Sequence, residues 1–376
     1  MRILYVCDEL AIYGGLERVV VDKVNWFAGQ EGYEVCLLTV NQGTHPVCFQ
    51  LHSDVSLNDL DIQFHQQYHL SFWRRLIKSH QLHHLFRKRL TSQIKQFAPN
   101  IIVCTRLDYL RDILQVKGHI PLVFESHASR LATYFESDGI LRRLHIWYLQ
   151  SAVKNAQMVV ALTKGDAVEW GKLTTNVCII PNVVHLNESD TYSDCALKSA
   201  IFVGRFSKQK DVGSLLRLWN LVHQRHPDWS LHIYGGYGDE QKTLHADISQ
   251  MNADIIVHEP TPDIIEKYKE SSILLLTSRY EPFGLVLPEA MSCGLPVVAF
   301  DCPYGPSDII TDGIDGFLIR HRSIEEFVDK VSLLMDHQEL RVKMGTAGIE
   351  SSQRFEASKI MPLWKNLFEH LANREL

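Results

Sequence analysis

An α/β chain of two Rossmann-like units in tandem is predicted by three observations. Short continuous apolar runs alternate with helical patterns through the first half, a polar stretch interrupts them, and the alternation then restarts. Continuous rather than alternating apolar strands imply a parallel sheet covered on both faces. The length of 376 residues suits two domains.

The first unit opens at Arg2–Cys7, a run too short and too soon acidic for a signal peptide. Further strand-like runs follow at Glu34–Val40, Ile101–Thr105, Leu122–Glu125, Met158–Leu162 and Val177–Ile180, with a weaker one at Val55–Leu60. Helical patterns at Glu17–Phe27, Phe72–Phe97 and Leu141–Ala156 separate them. The polar stretch Asn187–Asp194 reads as a linker. The second unit repeats the alternation at Ala200–Val203, Ser230–Tyr234, Ile255–Val257, Ile273–Leu276, Val297–Phe300 and Phe317–Ile319. An amphipathic segment, Ile360–Leu371, comes after it.

Composition is that of a soluble globular protein, 45% hydrophobic and 22% charged, with no uninterrupted apolar stretch of spanning length. Eight scattered cysteines without a C-x-x-C pair read as buried thiols in a reducing cytosol. The net charge of −6 gives no reason to expect a nucleic-acid partner. It conceals an asymmetry: residues 1–182 carry 19 Lys/Arg against 16 Asp/Glu (+3), and residues 183–376 carry 19 against 28 (−9). Between Asp61 and Asp108 there is no acid at all. The segment 72–97 is therefore a basic amphipathic helix, expected to dock on an anionic membrane surface. Its plain alternative is an ordinary helix packed on the first sheet with solvated charges.

Ligands of open α/β sheets gather beyond the carboxyl ends of the strands. The loops there are Tyr13–Arg18, Glu125–Ser129, Gly204–Asp211, Gly235–Glu240 and Ser278–Leu285. In the last, Glu281 stands at a strand end and Glu289 eight positions on, within the next helix. The N–H groups of Phe283, Gly284 and Leu285 lie near that helix's first turn. Carboxylates grip sugar or ribose hydroxyls and bare amides grip phosphate, so the segment describes a sugar-nucleotide pocket. Arg205 and Lys210 are a guanidinium and an ammonium suited to a diphosphate. Gly14 and Gly15 bend the backbone after the first strand, either as a plain turn or to approach a pyrophosphate; the G-x-G-x-x-G fingerprint is not met. His127 at a strand end reads as a packing residue or a catalytic one. Asp59-Leu60-Asp61 is read as a chance D-x-D, and the five histidines from His65 to His84 as no metal set, so no metal and no cofactor are expected.

With these residues in hand, the chain resembles the retaining glycosyltransferase family 4, of GT-B fold, and within it a bacterial polysaccharide and lipid-linked glycan type. The motifs are Gly14-Gly15-Leu16-Glu17-Arg18, Glu125-Ser126-His127, Ile179-Ile180-Pro181-Asn182, Gly204-Arg205-Phe206 with Lys210, the E-x7-E from Glu281 to Glu289, and Phe300–Ser307. The resemblance implies two Rossmann-like domains facing a central cleft. Residues 1–185 would bind the acceptor, with a C-terminal helix at about 360–376 packing back on them, and 186–359 the nucleotide sugar. It implies a catalytic set of Glu281, Arg205, Lys210 and His127, and donor binding by Gly14, Gly15, Phe283, Gly284, Leu285 and Glu289. The partners implied are a nucleotide diphosphate sugar, expected to be a UDP-sugar, and a glycan acceptor, lipid-linked in the bacterial subset. Activity would be metal-independent, in the cytoplasm or peripheral on the inner membrane face. A GT-B sugar-nucleotide epimerase and a non-catalytic nucleotide-sugar sensor stay open as alternatives.

Overall fold

A computed structural model describes residues 1–131, 139–236, 238, 240–249, 251 and 253–373. The expected loop positions Tyr237 and Asp239, and the end of the C-terminal helix at 374–376, lie outside the described residues. The chain forms two compact units, one from residues 1–183 and 360–376, the other from 184–359.

The first unit holds strands β1 (Arg2–Cys7), β2 (Glu34–Thr39), β3 (Val55–Asp59), β4 (Ile101–Cys104), β5 (Leu122–Ser126), β6 (Met158–Ala161) and β7 (Val177–Ile179). Its helices are α1 (Gly15–Ala28), α2 (Phe72–Phe97), α3 (Leu107–Val116), α4 (Ile140–Gln150) and α5 (Lys164–Gly171). The sheet runs β3-β2-β1-β4-β5-β6-β7, every pair parallel. The order reverses between β1 and β4, a topological switch point.

The second unit holds β8 (Ser199–Val203), β9 (Ser230–Tyr234), β10 (Ile255–His258), β11 (Ile273–Leu276), β12 (Val297–Phe300) and β13 (Gly316–Ile319). Its helices are α6 (Val212–Arg225), α7 (Gln241–Ser249), α8 (Ile264–Lys269), α9 (Val286–Ser292), α10 (Gly305–Ile309), α11 (Ile324–Asp336) and α12 (Gln338–Ser352), followed by α13 (Ala357–Asn373). The sheet order β10-β9-β8-β11-β12-β13 is again all parallel and switches between β8 and β11. Two parallel-sheet Rossmann-like halves are the architecture expected.

Local chemistry explains the element ends. Ser323 accepts the Glu326 N–H at the start of α11, and Thr163 accepts that of Asp166 at α5, satisfying donors that a helix start leaves open. Gly294, in left-handed backbone at φ 85°, follows the end of α9. The stretch expected as a linker is not loose. Asn187 and Ser193 donate backbone N–H groups to Ser292 Oγ and the Cys293 carbonyl, which tie it to α9. The pattern expected as one helix over 141–156 divides into α4 and a 3-10 turn, Ser151–Asn155. Within the first unit, α13 packs on α1: Phe368 stacks on Phe27 at 5.2 Å, and Tyr33 donates to Glu369 at 2.9 Å.

The reading of α2 as one continuous membrane face is corrected. Leu82, Phe86, Leu90 and Ile94 belong to the first unit's core. Arg87 pairs with Asp112 at 2.6 Å, and Arg89 donates to the Asp61 carbonyl at 2.8 Å. Of the helix's large apolar residues, Phe72, Trp73, Leu76 and Ile77 in the first two turns are the exposed ones. Among the described residues no helix is long and apolar enough to cross a membrane.

Candidate active site

Reversal of strand order between β8 and β11 brings two loops side by side, Gly204–Asp211 after β8 and Thr277–Leu285 after β11. Lys210 leaves the first with its carbon stem laid against Gly204. Its Nζ reaches Glu281 Oε1 at 2.5 Å, and Ser278 Oγ donates to the same oxygen at 2.6 Å. The pair is nearly out of water, with side chains 14% and 4% exposed. Backbone bonds fix Glu281 further: its N–H donates to the Pro303 carbonyl, and its carbonyl accepts from Tyr304 and Gly305.

Beneath the pair lies a brace. Thr277 Oγ1 donates to the Lys210 and Asp211 carbonyls at 3.0 and 3.2 Å. Arg322 donates through Nη2 to Asp211 Oδ2 at 2.5 Å and through Nη1 to the Ser278 carbonyl at 2.7 Å. Its guanidinium lies 4.4 Å above the Phe300 ring. One planar fork thus ties together the two loops that carry Lys210 and Glu281.

Glu289 sits in the first turn of α9, buried, and accepts from Tyr268 Oη at 3.2 Å. Gly284 holds φ 96°, a conformation that favours glycine. Among the described residues, no acceptor takes the N–H groups of Phe283, Gly284 or Leu285. Arg205 is exposed and makes no ion pair with a described residue. Lys210, Glu281, Glu289 and Arg205 are all on the second unit. The local geometry suits an anion beside a hydroxyl-bearing ligand: cations and open amides for the first, carboxylates for the second.

The remaining expected residues are on the first unit. Gly14 precedes α1 without a side-chain cap, and Gly15 begins the helix. His127 follows β5, its side chain 8% exposed, with Nε2 3.0 Å from Glu125 Oε1 but not aligned as a hydrogen bond. Lys23 donates to the same Glu125 oxygen, and its ammonium lies 4.7 Å from the Trp364 ring. Burial first, and the Lys23 charge second, hold the His127 imidazole well below its usual pKa, so it is neutral at pH 7. Burial likewise pushes the Lys23 ammonium down.

Asp211, Ser278, Tyr268, Arg322 and Lys23 were not singled out in the sequence. Lys23 had a signal: it shares the helix face of Val20, Val24 and Phe27, where an ammonium has no place unless paired. Asp59 has a structural role, accepting from Thr39 Oγ1 at 3.0 Å and the Gly43 N–H at 2.9 Å. Among the described residues no group of three or more His, Cys, Asp or Glu is placed to hold a metal. A groove of about 900 Å³ opens at the β9–β10 edge against His232, Tyr234 and His258. It shares no residue with the Lys210–Glu281 pair.

Comparison with known proteins agrees with this architecture. Residues 13–188 match the family model described as Glycosyltransferase Family 4, and residues 196–351 match that described as Glycosyl transferases group 1. An uncharacterized glycosyltransferase of Haemophilus influenzae is 28% identical over 94% of this chain and 96% of its own. The amylovoran biosynthesis glycosyltransferase AmsD of Erwinia amylovora is 32% identical over 56% of this chain and 62% of its own. Among solved structures, a mutant of Staphylococcus aureus TarM in complex with fondaparinux, alpha-GlcNAc-glycerol and UDP superposes with a TM-score of 0.80 at 15% identity, covering 98% of this chain and 99% of that one. With both halves matched by glycosyltransferase models, this chain belongs to the family 4 type of glycosyltransferases, of GT-B fold.

Proposed function

We propose that this glycosyltransferase transfers a hexose or N-acetylhexosamine, with retention, from a UDP-sugar to a lipid-linked glycan in surface polysaccharide synthesis. The observation that carries the reading is the Lys210–Glu281 pair at the switch point of the second sheet, with exposed Arg205 in the same loop as Lys210. The names of two comparison proteins add support: AmsD is a glycosyltransferase of amylovoran biosynthesis, and the TarM complex contains UDP.

Transfer breaks the anomeric C–O bond. The bonding electrons leave with the diphosphate, and positive charge grows on the sugar ring. Arg205 and Lys210 stabilise the leaving diphosphate more as its charge develops, which is what lowers a barrier. The amides of Phe283, Gly284 and Leu285 are assigned to the same anion. Glu281 accepts hydroxyl protons of the donor sugar, and Glu289 those of the ribose. Neutral His127 hydrogen-bonds a sugar hydroxyl. For retention, the acceptor oxygen bonds to the anomeric carbon on the face the diphosphate leaves. Its proton passes to a diphosphate oxygen.

The test is incubation of the protein with labelled nucleotide sugars, with and without bacterial lipid extract. Transfer of label to lipid only with UDP-sugars supports the reading. Label that epimerises without transfer, or that is bound and unchanged, replaces it with the epimerase or the sensor.

A further inference from the structure

Helix α1 packs against the first sheet through an apolar face with one exception. Among the described residues that α1 buries, Lys23 alone is polar, and it is 1% exposed. A buried ammonium needs a partner. It finds one in Glu125, the fourth residue of β5 and 0% exposed: Lys23 Nζ donates to Glu125 Oε1. Trp364 of α13, itself buried, sets its ring 4.7 Å from the same ammonium.

Stability does not account for this pair. Two buried charges recover in attraction little more than they lose in hydration, and apolar side chains of similar volume would serve the core as well or better. The arrangement also leaves two buried atoms unserved. Among the described residues, neither Glu125 Oε2 nor His127 Nε2 has a hydrogen-bond partner. Most buried polar atoms of a folded protein have one, so two orphans in one cluster point to a use.

The use follows from which oxygen Lys23 takes. His127 Nε2 lies 3.0 Å from Glu125 Oε1, close enough for an ion pair, yet the two are not aligned as a hydrogen bond. The ammonium holds that oxygen instead. A carboxylate left alone beside an imidazole in this dry layer would draw a proton onto the ring and clamp its N–H. With the carboxylate already neutralised, the ring is neither charged nor clamped. Titratable groups reach this layer from three elements. They are Lys23 and the more distant Asp22 of α1, Glu125 of β5, and the Tyr5 hydroxyl of β1, which alternation puts on the side of the sheet opposite Leu4 and Val6. The fourth element, α13, brings Trp364, which carries no charge.

We propose that Lys23 and Glu125 are positioning residues for His127: the ammonium occupies the carboxylate, and the imidazole is left free to meet a hydroxyl of the donor sugar. Both residues are too buried to touch substrate, and they act through the ring. Trp364, by covering the ammonium, makes the C-terminal helix part of the same support. The inference rests on the sugar-binding role given to His127 above.

The test is NMR titration of the His127 ring in the full chain, its signal identified by loss in His127→Gln. In wild type the ring should stay neutral through the range in which a free histidine titrates, about pH 6.5. In Lys23→Met the bare carboxylate faces the ring, which should titrate about 1–3 pH units higher than in wild type. Lys23→Met/Glu125→Gln, with neither charge, should return it to the wild-type state. Turnover with the UDP-sugar that wild type transfers should follow: the acid limb of kcat moves up in Lys23→Met by the same interval and moves back in the double variant. Should Lys23→Met not fold, Lys23→Gln, whose amide donates without charge, takes its place with the same expectation. Tyr33→Phe, which removes the bond from Tyr33 to Glu369 of α13, should lower the melting temperature and leave the titration unmoved. The proposal is overturned if His127 titrates alike with and without the Lys23 charge, or if the double variant does not reverse the change. It is also overturned if the titration moves and the acid limb of kcat does not, or if Tyr33→Phe moves the titration as far as Lys23→Met. A wild type that transfers no UDP-sugar would count against the glycosyl-transfer reading instead, and the titration, which needs no substrate, would still decide whether Lys23 sets the state of the ring.

Discussion

Lys210 and Glu281 should behave as one unit in a double-mutant cycle. Glu281 is 4% exposed and Lys210 14%, and among the described residues only the Ser278 hydroxyl shares the carboxylate oxygen. Lys210→Met leaves a carboxylate buried beside a neutral chain, and Glu281→Gln leaves an ammonium short of its anion. Breaking a buried pair from one side costs about 3–5 kcal/mol. The partial exposure of Lys210 argues for the lower end, about 3 kcal/mol for each single change. Replacing both should cost little more than one, a coupling of about 2–3 kcal/mol. A unit of about 180 residues loses about 2–4 °C per kcal/mol, so each single variant should melt about 6–12 °C lower. Turnover should follow the same logic. Lys210→Met is expected to fall about 10²–10³-fold, as for loss of a donor to the developing anion, and the double variant not much further. Urea unfolding and initial rates on the four proteins complete the cycle. Additivity of the single changes within about 0.5 kcal/mol, in both readouts, would refute the joint role.

Four further outcomes are expected. Arg322→Met should lower stability by about 2–3 kcal/mol and turnover with it, and Arg322→Lys should restore neither, since an ammonium cannot span Asp211 and the Ser278 carbonyl; denaturation and rates check both. Glu289→Gln should weaken UDP by about tenfold in calorimetry, and Tyr268→Phe less, because Tyr268 only orients the carboxylate; equal losses would remove the ribose role. His127 has a folded pKa below its ordinary value of 6.5, so below that pH the unfolded chain takes up the proton first. Its contribution to stability is therefore full above pH 6.5 and is lost as pH falls, by up to about 1.4 kcal/mol per unit. Urea curves from pH 7 to 5 should be shallower in pH for His127→Gln. Activity should survive EDTA; complete loss restored by magnesium would point to a metal held through the substrate diphosphate.

Much of the fold was legible because the physics behind it is local. A strand buried on both faces must be continuously apolar, as Ile273–Leu276 and Val297–Phe300 are, and a parallel strand needs a helix before its partner. The positions of Glu281 and Lys210 followed, since loops at the carboxyl ends of such strands are where ligands meet a doubly wound sheet. Their direct pairing did not follow. It depends on β8 and β11 being neighbours, which strand order decides and spacing along the chain does not. Arg322 was less visible still: it lies 111 positions from Asp211, in a turn whose sequence Arg320-His321-Arg322 resembles any solvated basic loop. Residues that brace a site make contacts encoded only by the completed fold.

Helix α2 shows the opposite failure, a strong local signal that merges two different surfaces. Ten large apolar residues and seven Lys/Arg within 72–97 satisfy a helical pattern, and that pattern alone does not say which apolar residues face protein. Phase does carry that information. Leu82, Phe86, Leu90 and Ile94 recur every four residues, while Trp73 and Ile77 keep the same interval about two-fifths of a turn away. A single amphipathic helix would hold one phase over its whole length. The change of phase near Lys78 marks where the helix passes beyond what the sheet and α3 can cover. The arginines sort by the same boundary: Arg87 and Arg89, beyond it, are bound to Asp112 and the Asp61 carbonyl, and Arg74 and Arg75, before it, are exposed. Charge reversal at 87 and 89 should therefore damage the fold, and at 74 and 75 should not.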